Sequence, residues 1–106
     1  MNQPDVNDLL PRLQRWYLSQ CDGEWEHSWG VKIGTLDNPG WSLEVNLRST
    51  NPADRAFAPH KRGLDGPKPN ADWITCHVEN QVFRGFGGPK KLAEMIAVFL
   101  NWAEAR

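Results

Sequence analysis

Cysteine is scarce in this chain. Cys21 and Cys76 lie far apart and form no CxxC pair, which excludes both a dithiol redox motif and a disulfide framework and points to reduced thiols. No apolar run approaches the roughly 20 residues that span a bilayer, and the start, Met1-Asn2-Gln3-Pro4-Asp5, lacks a basic stretch leading into one. A cytoplasmic protein with no membrane contact is the expectation. Excess charge is lacking too: a formal net charge of −1 excludes a general nucleic-acid binder. That near-neutral sum hides a division. Residues 1–47 hold seven acids and three bases, whereas residues 48–106 hold six acids and nine bases, so an acidic face is expected.

What is present suffices for one core. A length of 106 residues suits a single domain, 1–106, and 40% hydrophobic content is that of a folded protein. Leu9, Leu10, Leu13, Trp16 and Tyr17 recur at helical spacing, which predicts a helix from about Asn7 to Ser19. Asp5 or Asn7 can cap it, Pro11 falls in or near its first turn, and Cys21-Asp22-Gly23 ends it. The period then changes to two. Trp29, Val31, Ile33 and Thr35 alternate with small or polar residues, Asp37-Asn38-Pro39-Gly40 makes a turn, and Trp41, Leu43, Val45 and Leu47 form the returning strand.

Residues 49–70 carry four prolines and no periodicity, the mark of a long loop that is either functional or mobile. A second hairpin, Trp73–Glu79 and Val82–Phe86, is expected around Asn80-Gln81, with Gly85, Gly87 and Gly88 breaking the pattern. Pro89 then suits the first position of a helix whose stripe runs through Leu92, Met95, Ile96, Phe99, Leu100 and Ala103. The predicted fold is α+β: an antiparallel sheet of about four strands with the N- and C-terminal helices on one face.

Chemistry-bearing residues cluster in Cys21-Asp22-Gly23-Glu24-Trp25-Glu26-His27. In an extended segment Glu24 and Glu26 share one side, a spacing that serves acid–base chemistry, a metal or a solvated acidic loop. No zinc-finger spacing links Cys21, His27, His60, Cys76 and His77, and Cys76 and His77 point to opposite faces of a strand. The string Gly85-Phe86-Gly87-Gly88-Pro89-Lys90-Lys91 lacks the ending of a phosphate loop. No catalytic constellation, metal or cofactor follows from these patterns. Six tryptophans in so small a domain are the unusual feature. Trp16, Trp29 and Trp102 fit core stripes; Trp41 follows the turn and suits either the core rim or the sheet edge. Trp25, between two glutamates, fits an interface as well as a core. Aromatics among carboxylates suit a basic protein partner, which selects Asp22, Glu24, Trp25, Glu26, His27, Asp37 and Trp41 as candidate partner-binding residues.

Three strings carry a resemblance to a known family: Leu13-Gln14-Arg15-Trp16-Tyr17, Cys21-Asp22-Gly23-Glu24-Trp25-Glu26-His27-Ser28-Trp29-Gly30, and Thr35-Leu36-Asp37-Asn38-Pro39-Gly40-Trp41. With Trp73 and the C-terminal amphipathic helix, they make the chain resemble the immunity protein 53 family of bacterial polymorphic toxin systems. That resemblance implies an antitoxin, itself not an enzyme, that binds and neutralises a cognate toxin, commonly a nuclease or another intracellular effector. It brings no binding residues with it. Two other classes remain open on the residues alone: a small enzyme using Asp22, Glu24, Glu26 and His27, or a structural module that forms a small homo-oligomer.

Overall fold

A computed structural model describes residues 6–64 and 72–105. Helix α1 (Val6–Gln20) turns Leu9, Leu13 and Trp16 inward, the spacing that put them on one helical stripe. Pro11 is its sixth residue, just past the first turn, and is exposed. The capping expected of Asp5 or Asn7 falls outside the described side chains.

A one-turn helix, α2 (Trp25–Ser28), precedes the first hairpin, β1 (Val31–Leu36) and β2 (Gly40–Asn46), which pair antiparallel with Val31 opposite Val45 and Leu36 opposite Gly40. The second hairpin is β4 (Ile74–Glu79) and β5 (Val82–Gly87). Asn80 and Gln81 both take positive φ, 54° and 61°, which is what a two-residue primed turn requires of its central positions.

Three expectations need revision. The sheet has five strands, in the order β1-β2-β5-β4-β3, all antiparallel. The fifth, β3 (His60–Arg62), comes from within the 49–70 loop, which also folds a 3-10 turn at Asn51–Asp54. Three residues are too few to show a period, so the sequence hid them. Residues 65–70 of that loop lie outside the described ones. The glycines differ slightly too: β5 runs through Gly87, one residue past its expected end at Phe86. A Cβ on Gly85 would sit 2.9 Å from Met95 Cγ, so glycine here admits the last helix, α3 (Leu92–Ala103), close against the sheet. Pro89 stands two residues before Lys91, the N-cap of α3, and not at its first position.

Both long helices lie on one face. α3 packs on β2, β5 and β4, and α1 packs on α3. Between them an aromatic chain fills the core: Trp16 meets Phe99 edge-on at 4.9 Å, Phe99 meets Phe83 at 5.1 Å, and Phe83 meets Phe57 at 5.4 Å. Phe57 arrives from the 3-10 side because Arg55 donates to the last carbonyls of α3, Trp102 O and Ala103 O, while Trp102 Nε1 donates to Ala56 O. The opposite face of the sheet carries Lys32, Glu44, Arg84 and His77, and among the described residues no helix covers it.

Candidate functional site

The acidic segment is not extended. After α1 ends, Gly23 takes φ +93° and swings the chain into α2. Asp22 Oδ1 then accepts from the backbone N–H of Glu24 and of Trp25, each at 2.9 Å. Glu26 reaches back, its two carboxylate oxygens accepting from Asp22 N at 3.0 Å and Gly23 N at 2.9 Å. This reciprocal bonding satisfies the three amides that lead into α2 and that of Trp25, its first residue, which explains how four residues hold a turn. The Trp25 and Glu24 amides hold the Asp22 carboxyl below its usual range. Glu26 is lowered likewise, by its own amide first, then by those of Asp22 and Gly23 and by the nearby His27. Both are therefore firm anions near neutrality, with oxygens already engaged, a poor disposition for proton shuttling. Glu24 and His27 are exposed on the same turn.

The remaining selected residues do not join them as one patch. Trp25 is only 2% exposed, which decides between its two expected roles: it is core, edge-on to Trp16 at 6.1 Å and Tyr17 at 5.9 Å. Its Nε1 is buried and has no hydrogen-bond partner among the described residues. Trp41 is half-buried and donates through Nε1 to Pro89 O at 3.0 Å, tying β2 to the approach of α3. Asp37 is exposed in the β1–β2 turn. The six residues of β1 separate it from α2 by about 20 Å.

A different tryptophan reaches the surface. Trp29, expected in the core, is 39% exposed because β1 begins only at Val31, and the Arg48 guanidinium lies over its ring at 5.3 Å. Beside it, Lys32, Glu44, Asn46, Val82 and Arg84 line a depression of about 340 Å³ on the open sheet face, with Arg84 donating to Glu44. Sequence reasoning missed this grouping, since its members come from three strands. The signal available was the alternation itself, which puts Lys32, Glu44 and Arg84 on the face opposite the core.

Elsewhere the titratable residues serve the fold. Cys76 is wholly buried, and burial pushes its thiol up to about 12, which leaves it inert. His77 lies on the open face, 3.5 Å from Glu79. Among the described residues no group of three or more His, Cys, Asp or Glu side chains is placed to hold a metal ion, and no helix is long and apolar enough to cross a membrane.

Comparison with known families adds what the geometry does not contain. The profile of immunity protein 53 matches residues 10–104, nearly the entire chain. The chain belongs to the immunity protein 53 family. No curated protein and no solved structure matches it. Within this family member the three motif strings have separate structural duties. Leu13 and Trp16 pack the core from α1, Asp22 to Gly30 build the α2 turn, and Asp37 to Trp41 close the first hairpin.

Proposed function

We propose that this immunity protein is an antitoxin that acts by stoichiometric binding to a cognate toxin domain. Membership of the immunity protein 53 family over residues 10–104 is the observation that carries the reading. The surface we assign to the contact is the α2 turn with its flanks. Glu24, Asp22 and Glu26 provide negative potential there, His27 is exposed with them, and Trp29 supplies the aromatic anchor that Trp25, being buried, does not. Asp37 extends the negative field from the far end of β1, and Trp41 acts behind it by holding the hairpin in place. A toxin with a basic active-site rim, such as a nuclease, fits this charge; occupying that rim would exclude its substrate.

The test is to isolate the toxin with tagged protein from the source cell and then titrate its activity. Inhibition should reach completion at a fixed stoichiometric equivalence. Glu24→Lys with Asp37→Lys should slow association at low salt and lessen its salt dependence, and Trp29→Ala should speed dissociation. A titration with no equivalence point would refute the antitoxin reading. Unchanged association by the charge-reversed protein would refute only this placement. The enzyme alternative has no observation in its favour, because two of its four residues, Asp22 and Glu26, are spent on backbone amides.

A further inference from the structure

Among the described residues, the β1 strand leaves a complete hydrogen-bonding edge open. Asn46 N donates to Gly30 O at 3.0 Å, and continuing the β1–β2 register places these two residues directly opposite each other. Hydrogen-bonded and non-bonded pairs alternate along an antiparallel ladder, so Lys32, Gly34 and Leu36 turn their backbone groups to β2. Val31, Ile33 and Thr35 turn theirs outward. The same parity closes across the sheet, where Leu47 N donates to Gln81 O and Gly88 N to Trp73 O. Among the described residues nothing accepts from or donates to the three outward-turned backbones. Ile33 beside them is 43% exposed on the helix-bearing face.

We infer that a second copy of this chain completes that edge, the two β1 strands pairing antiparallel about a twofold axis at Ile33. The strand is self-complementary in this register. Val31 meets Thr35 of the second copy, Ile33 meets Ile33, and Thr35 meets Val31, so every outward N–H and C=O finds a partner. On the helix-bearing face the exposed Ile33 is covered by its own counterpart. On the open face Lys32 stands opposite Gly34 of the second copy and retains Glu44 of its own β2 as its other neighbour. Neighbouring registers are worse. Centring on Lys32 opposes two ammonium groups at the closest pair, and centring on Gly34 sets Val31 against Asp37 in the turn. A slip of one residue would set the core-facing side chains against the open face. The twofold joins two sheets into one, with all four long helices on the same side.

The experiment is light scattering on the eluting protein over a concentration series. The mass should be twice 12.1 kDa when concentrated and should fall toward 12.1 kDa on dilution. Ile33→Pro removes only an outward donor, which an edge strand tolerates, and should stay monomeric throughout with unchanged circular dichroism. Should that variant fail to fold, cross-linking decides. In a Cys21→Ser background, Ile33→Cys should give a disulfide dimer on mild oxidation, because hydrogen-bonded pairs sit about 5.5 Å apart at Cα. Lys32→Cys, which faces Gly34, should cross-link far more slowly. A monomer at every concentration, a dimer that survives in folded Ile33→Pro, or equal cross-linking of both cysteine variants would each overturn the inference. So would protection of the Val31, Ile33 and Thr35 amides that arises only when toxin is added, since the edge would then belong to a toxin strand.

Discussion

The two edges of the sheet are treated in opposite ways. β3 is three residues long and is fastened down: Arg62 donates through both terminal nitrogens to Glu94 of α3 at 2.7 Å, and His60 Nε2 lies 3.2 Å from the same carboxylate. Lys91 adds contacts of 3.4 Å to Asp72 and 3.7 Å to Glu94. Arg62 holds Glu94 down at about 2, with His60 and Lys91 helping. β1 is six residues long, carries one charge, Lys32, and has no such fastening among the described residues. Short, charged, side-chain-clamped edges resist adding a strand, whereas long, sparsely charged ones invite it. Among the described residues, one side of the sheet is thus closed and the other left available.

The comparison can be broken most forcibly through Gly40, where the open hairpin joins the sheet. A Cβ there would sit 2.3 Å from the backbone oxygen of Gly87, so Gly40→Ala must push β2 from β5. We expect a loss of about 1–3 kcal/mol in urea unfolding. Next comes the clamped edge. Glu94→Ala removes the acceptor that Arg62 and His60 share, and because both side chains are partly exposed to water the cost should be about 0.5–1 kcal/mol. Hydrogen exchange should show His60 and Arg62, whose amides face β4, losing protection while Lys32 and Gly34 keep theirs; equal loss at both edges would show that Glu94 supports the whole sheet and not β3.

Acid offers a milder break. Since the folded pKa of Glu94 lies below its ordinary 4.5, its contribution is fully present above that pH and is lost as the pH falls toward about 2. Asp22 and Glu26 are lowered as well and act in the same direction, so α2 should loosen in the acid range too. A pH series on Glu94→Gln separates them: the acid-induced loss at β3 should vanish while that at α2 stays. The smallest effect is expected at the open edge, where Lys32→Ala should alter stability by no more than about 0.5 kcal/mol in thermal unfolding.

Much of this was legible from residue spacing. The two long helices, both hairpins and the placement of Cys76 and Trp16 in the core follow from periods of 3.6 and 2 that extend over many residues. β3 was not legible, because its strand state depends on β4 and Glu94 rather than on any pattern within His60–Arg62. The candidate site was legible only in part. The sequence located the acidic turn, yet it could not show that Asp22 and Glu26 face their own backbone. Trp25 and Trp29 misled in opposite directions: one looks out of phase but is buried by the α2 turn, the other looks in phase but precedes the strand.

The sequence by itself determined the α+β class, the core stripes and the family, since each is a matter of order and spacing along the chain. Tertiary structure alone decided which tryptophan is exposed, which carboxylates are already satisfied, and which sheet edge is clamped. Those outcomes depend on groups brought together from distant positions, Arg62 to Glu94 and Gly30 to Asn46, and a one-dimensional pattern does not record which of its residues will meet.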